Sequence, residues 1–181
     1  MAIRKVAQLG NPVLRRKAEP VPVEMIQSQQ IQTLIDDMIE TSDEYSGAGL
    51  AAPQVHESVQ IIVAGLKEDP RYEDEEDMPL VVLINPKIAA FSTEMDEDWE
   101  GCLSLGDLWG RVKRALSITV TGFGRDGKQI EFRAEGFKAR VFQHEIDHLH
   151  GKVFIDRMSN LDSLCFARER IRFASLYEKV H

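Results

Sequence analysis

Apolar positions along the chain change period from segment to segment, and each change marks an element. From Gln30 to Glu40, Ile31, Leu34, Ile35, Met38 and Ile39 recur at three- and four-residue intervals, one face of an amphipathic helix. Glycines at 47 and 49 follow shortly after its end. Gln60-Ile61-Ile62-Val63 and Leu80 to Ile84 are short apolar runs that read as buried strands. Ser117 to Gly122 alternates, with Ile118 and Val120 among polar neighbours, and a turn at Asp126-Gly127 leads into a strand through Ile130 and Phe132. The helical period returns after Glu135: Phe137, Val141, His144 and His148 share one stripe, and Gly151 closes the helix. A last helix is expected from Asp162 to Lys179, with Leu164, Ala167, Ile171 and Ala174 on one stripe and Arg168, Arg170, Arg172 and Lys179 largely elsewhere. Strands that precede and feed a helix predict an α+β fold, with antiparallel or mixed β-sheets packed around a central helix, an N-terminal helix and a C-terminal one.

A length of 181 residues with 43% hydrophobic content fits one domain, residues 1–181, in which 159–181 form a C-terminal helix and tail. The longest apolar run, Leu80 to Ile84, is far short of the roughly 20 residues that span a bilayer, and Met1 to Gly10 lacks a secretory apolar region. A soluble cytoplasmic protein is expected. The net charge of -8 argues against general nucleic-acid binding, which needs clustered Lys and Arg. Glu68 to Asp77, crowded with carboxylates around Pro70, reads as a solvated loop between strands.

The central helix carries His144-Glu145-Ile146-Asp147-His148. Residues four apart stand one turn above each other, so His144 and His148 can aim both imidazoles at one ion while Glu145 sits beside it as a general base. Two imidazoles leave a catalytic shell one protein ligand short, and that ligand must come from elsewhere. A pair of histidines half-buried on an amphipathic face is the plain alternative, but their stripe is shared with Phe137 and Val141. Of the two cysteines, Cys165 reads as a small buried hydrophobe. Cys102 follows a glycine and lies next to Glu100 and Ser104, where a thiolate would complete a Cys-His-His set. Asp147 is expected to support the ligands or to be solvated, and Glu100 to pair with Arg114 and brace the cysteine loop.

Three blocks in order, Gly47-Ala48-Gly49-Leu50-Ala51-Ala52-Pro53-Gln54, Glu100-Gly101-Cys102-Leu103-Ser104 and His144-Glu145-Ile146-Asp147-His148, resemble the motifs of the peptide deformylases. The likeness extends through Ile84-Asn85-Pro86 and covers about Val6 to Met158. It departs after Ser104, where the family often has an apolar residue and a proline and this chain has Leu105-Gly106-Asp107-Leu108-Trp109-Gly110. That places the substrate rim, not the metal shell, in question.

The resemblance implies removal of the N-formyl group from the initiator methionine of nascent polypeptides, with formate released. Cys102, His144 and His148 would hold one divalent metal, ferrous by resemblance, with zinc, nickel or cobalt also able to occupy the site. Glu145 would take a proton from a metal-bound water, and the resulting hydroxide would attack the formyl carbon. The backbone N–H of Leu103 and the amide of Gln54 would stabilise the oxyanion. Gly49 would admit the peptide backbone; Phe137 and Val141, on the histidine stripe, and Leu103 are candidate walls of a methionine pocket, with plain core as the alternative. A monomer is expected; the arginines of the C-terminal helix read first as a solvated charged face, and contact with the ribosome, where some members of the family work, is the sharper reading. Two other classes stand beside this reading. A zincin-like metalloprotease would take its third ligand downstream, where only His150 and His181 lie, and a non-catalytic deformylase-like protein would keep the metal site for another purpose.

Overall fold

The computed structural model describes residues 2–66 and 78–174. Helix α1 spans Gln29–Glu44, and Ser28 caps it by accepting from the Ile31 N–H. It is followed by strands β1 (Gly49–Ala51), β2 (Ile61–Leu66), β3 (Met78–Phe91), β4 (Met95–Gly101), β5 (Leu108–Ala115), β6 (Ser117–Phe123) and β7 (Gln129–Glu135). Helix α2 (Gly136–Leu149), strand β8 (Cys165–Phe166) and helix α3 (Ala167–Arg172) complete the order. Among the described residues the strands form two sheets, β1-β2-β3-β6-β7 and β4-β5-β8, with every neighbouring pair antiparallel.

Both faces of the larger sheet are covered, which explains the uninterrupted apolar runs in β2 and β3. Successive side chains of a strand point to opposite faces. Ile62, Ala64 and Leu83 therefore pack with Phe142, Ile146 and Leu149 of α2, while Ile61, Val63 and Ile84 pack with Ile31, Leu34, Ile35 and Met38 of α1. The smaller sheet adds Val112 to a third cluster with Cys102, Leu105, Val153 and Phe154. Helix α2 thus sits between the sheets, and every residue from Ala139 to Leu149 is buried. A bulge between Ile84 and Lys87 lets Asn85 turn its amide onto the backbone of Val21, 2.8 Å from both its N and its O, which ties the N-terminal stretch to β3.

The expected helices at 30–40 and around the histidine motif are present, as are the strands through Ile61, Leu83, Ile118 and Ile130. The C-terminal expectation is corrected. No helix starts at Asp162: Cys165 and Phe166 instead pair as β8 with Trp109 and Leu108 of β5, and among the described residues the helix of this segment is Ala167–Arg172. Ile171 is 77% exposed, so the stripe it was assigned to is not a buried one over the described residues. An open edge on β5 offers ladder hydrogen bonds that a weakly amphipathic segment can take in place of helical ones. The expected loop at Glu68 to Asp77, together with Lys179 and His181, lies outside the described residues.

Candidate metal centre

The inner wall of the site is the helical turn His144 to His148, and its opposite wall is the end of β4. Because α2 is buried on all sides here, both imidazoles are fixed by packing, with ring centroids 5.0 Å apart. The chain leaves β4 at Gly101 and delivers Cys102 Sγ to 3.3 Å from His148 Nε2. The ligand atoms of Cys102, His144 and His148 all lie within 4.8 Å of one another. In a tetrahedral shell with metal–sulfur near 2.3 Å and metal–nitrogen near 2.0 Å, ligand atoms stand about 3.5 Å apart, so the three donors fit one divalent ion.

The orientation of each ligand has a cause. His144 Nδ1 lies 2.9 Å from Glu100 Oε2, which turns Nε2 toward Cys102. Glu100 is itself held by Arg114, whose Nε and Nη2 each donate at 2.9 Å, and by Arg140 Nη1 at 3.0 Å. Arg114 reaches on to Asp147, which also receives Arg157. The brace expected from Glu100 and Arg114 is therefore in place. Asp147 is corrected from its solvated alternative, because it is buried and ion-paired.

These contacts set the charges. Burial pushes Glu100 upward, but the hydrogen bonds from Arg114 and His144 outweigh it and hold the carboxyl well below its usual range. Burial likewise opposes protonation of His144, yet the neighbouring Cys102 and Glu100 hold its pKa well above the usual value. His148 is pushed well below it by burial and by the charge of His144. Glu145 is pushed up to about 7, chiefly by burial, and its Oε2 is buried with no hydrogen-bond partner. A carboxylate so placed is short of a cation or a proton, and a divalent ion among the three donors would supply the first.

Gln54 is almost fully buried. Its Oε1 accepts from the Ala51 N–H at 2.8 Å, so its Nε2 must face Ser104 Oγ (3.2 Å) and Cys102 Sγ (3.6 Å). Leu103 opens a 3-10 turn over Leu103–Leu105, and the first N–H of such a turn has no acceptor within it. Gly49 has Glu145 as its closest neighbour: a Cβ there would stand 2.7 Å from Glu145 Oε1. Leu103, Phe137, Val141, Gly49, Gln54 and Glu145 all line one cavity of about 590 Å³. His150 does not join the metal ligands; its Nδ1 is hydrogen-bonded to Ile146 O at 2.8 Å.

Sequence reasoning missed three contributors. Arg140 sits in the helix as an ordinary charged residue until β4 and β5 place Asp96, Glu100 and the Val112 carbonyl around it. Trp99 and Trp109 line the mouth of the cavity with Arg170, and the only signal for them was two tryptophans flanking the cysteine block.

Comparisons with known proteins agree with this geometry. The profile of the polypeptide deformylase family matches residues 3–163. Peptide deformylase 2 of Pseudomonas syringae pv. tomato is 43% identical over 164 residues, 91% of this chain and 92% of the relative. Peptide deformylase 2 of a Nostoc species is 44% identical over 160 residues, 88% of each. The crystal structure of a class I type b peptide deformylase from Acinetobacter baumannii with Met-Ala-Ser bound superposes with a TM-score of 0.85 at 39% identity, covering 87% of this chain and 99% of that one. The peptide deformylase of Thermotoga maritima gives 0.76 at 36% identity, covering 88% and 100%. A cysteine sulfur at the end of one sheet, two imidazoles from a buried helix and a matched profile that spans both leave one conclusion: the chain belongs to the peptide deformylase family.

Proposed function

We propose that the chain removes formyl groups from N-formylmethionyl peptides, with Cys102, His144 and His148 as metal ligands and Glu145 as the proton carrier. The observation that carries this reading is the buried Glu145 carboxylate, whose Oε2 has no hydrogen-bond partner and which lines the cavity beside Cys102 and His144 of the three-donor group. A divalent ion held there supplies a Lewis acid that lowers the pKa of water and polarises the formyl oxygen.

This chain's residues do the rest. Glu145 takes one proton from the attacking water at its free Oε2 and returns it to the amine nitrogen as the C–N bond breaks, giving formate and a free amino terminus. Gln54 Nε2 and the Leu103 N–H donate to the oxygen that becomes negative in the transition state. Leu103, Phe137 and Val141 offer apolar surface for a methionine side chain. Strand β1 is the edge of its sheet, so its outer side can accept an extended peptide at Gly49. The Acinetobacter relative binds Met-Ala-Ser, which has the form of a deformylated product.

The proposal takes ferrous iron as the native metal, with zinc, nickel and cobalt as substitutes, and a cytoplasmic monomer acting on nascent chains. Neither the downstream-ligand protease nor a non-catalytic protein is favoured, since the third donor lies upstream and no catalytic group is missing. The test is anaerobic metal analysis of the wild type and Cys102→Ala, with formate release from formyl-Met peptide against acetyl-Met and internal-amide controls. One ion per chain and release from the formyl substrate alone is the expected result; equal cleavage of the acetyl control overturns it. Ribosome contact through the segment beyond Leu161 is tested by co-sedimentation of a chain ending there, which is expected to pellet less than the full chain.

A further inference from the structure

The family match ends at Ser163, yet the wall of the cavity does not. Strand β8 pairs with β5, Ala167 N–H donates to Asp107 O at 2.8 Å, and α3 is thereby carried over the mouth, where Ala167, Arg170 and Ile171 line the same cavity as Cys102 and Glu145. The guanidinium of Arg170 lies 4.7 Å from the ring centroid of Trp109 and 5.0 Å from that of Trp99. Trp109 can reach this position because it rests on Gly101, where any Cβ would stand 2.7 Å from its ring. The departure from the family pattern after Ser104 is the stretch that brings Trp109 there.

Among the described residues two arginines line the cavity, and they differ. Arg140 is committed to Glu100, Asp96 and the Val112 carbonyl. Arg170 has no carboxylate partner among the described residues. In a protein of net charge -8, a cation at the mouth of the cavity that meets no carboxylate among the described residues is suited to recognising an anion. The two rings restrict where the guanidinium can lie, and a guanidinium held against aromatic rings keeps in-plane N–H donors that can meet a carboxylate.

We propose that Arg170, seated on Trp99 and Trp109, is a specificity residue that favours substrates with an acidic side chain in the first two positions after the formylmethionine. This rests on the deformylase reading. It concerns the part of the peptide that lies outside the methionine pocket and assigns no step in bond cleavage to Arg170.

The test compares kcat/KM on formyl-Met-Asp-Ser, formyl-Met-Lys-Ser and the same pair with the variable residue third. Each value is divided by that enzyme's own value on formyl-Met amide, which has no downstream residue. The wild type is expected to prefer the acidic member by about fivefold, the scale of a partly solvated ion pair, and through KM. Arg170→Ala abolishes the preference, Arg170→Glu inverts it and Arg170→Lys keeps only part of it. A brace without a recognition role would not produce the inversion. An indifferent wild type, or a preference that survives in Arg170→Ala, overturns the proposal. Calorimetric affinities of the product peptides Met-Asp-Ser and Met-Lys-Ser provide a second readout. If no formyl substrate is turned over, the deformylase reading fails while those affinities still decide the role of Arg170.

Discussion

The floor of the cavity and its mouth are built on opposite terms. At the floor, Cys102, His144, Glu145 and His148 are buried, and the charges behind them, Glu100, Arg114, Asp147 and Arg140, are each paired with an opposite. At the mouth, Trp99, Trp109 and Arg170 are only half-buried, and contacts of a guanidinium with ring faces hold them together. Away from water, losing one partner of an ion pair is costly, so the pairs behind the floor resist displacement of the donors they hold. The mouth meets peptides of varying sequence, where selectivity of a few fold is enough. Substitutions at the two ends should therefore differ in scale.

The largest effect is expected at Glu145. Glu145→Gln keeps the shape and removes the proton carrier, so kcat should fall about 10²- to 10⁴-fold with metal content unchanged. A variant that keeps more than a tenth of kcat would remove Glu145 from its role. The same group gives a signature without metal. Its pKa in the folded, ion-free protein is pushed up to about 7 from 4.5, so between these values the folded chain binds the extra proton. Stability of the ion-free wild type should then fall as pH rises from about 4.5 to 7, by about 3 kcal/mol, and Glu145→Gln should flatten that slope.

Next comes Arg114, the hub between Glu100 and Asp147. Its removal leaves two buried carboxylates short of a partner, for a loss of about 3–5 kcal/mol in denaturant unfolding. Metal affinity should drop about 10- to 100-fold because Glu100 no longer orients His144 firmly. The pH dependence has the opposite sign to that of Glu145. Glu100 and Asp147 have lowered pKa values when folded, so their contribution is present above the ordinary carboxylate range and is lost as pH falls through the folded values. Arg114→Ala should weaken this acid limb; a wild-type limb in the variant would show that the pairs contribute nothing.

Gly49→Ala separates placement from chemistry. The new methyl would stand 2.7 Å from Glu145 Oε1, and the carboxylate must move. A displacement near 1 Å at a reacting group costs about a hundredfold, so kcat should fall by that order with metal bound as before. Unchanged kcat would mean that the proton carrier tolerates displacement.

How much of this was legible in the sequence follows from the range of the interactions. His144, Glu145 and His148 could be read because a helix repeats every 3.6 residues and puts them on one face. Cys102 stands 46 residues from His148, and its block became informative mainly through its likeness to a family motif. The hairpin of β4 and β5 escaped because Met95-Asp96-Glu97-Asp98-Trp99-Glu100-Gly101 has no apolar alternation, and pairing with β5 holds it extended. Arg140 escaped with it, since its partners come from those strands. The C-terminal segment misled for a related reason: Leu164, Ala167 and Ile171 keep helical spacing, but the open edge of β5 takes Cys165 and Phe166 first. Local periodicity was legible, and competition from a distant edge was not.

The smallest effect sharpens the contrast most, because it concerns the same residue type. Arg168 neighbours the recognition segment as Arg114 neighbours the ligands, and each has a carboxylate in reach. The Arg168 side chain is 81% exposed and meets Glu169 at 3.5 Å, whereas that of Arg114 is 5% exposed. Water already satisfies a charge so placed, and ordering two long side chains offsets most of the attraction. Arg168→Ala should change unfolding free energy by less than about 0.5 kcal/mol and leave the acidic preference ascribed to Arg170 untouched. If Arg168→Ala instead erases that preference, the recognition belongs to the positive charge of the segment as a whole and not to the guanidinium seated on the two tryptophans.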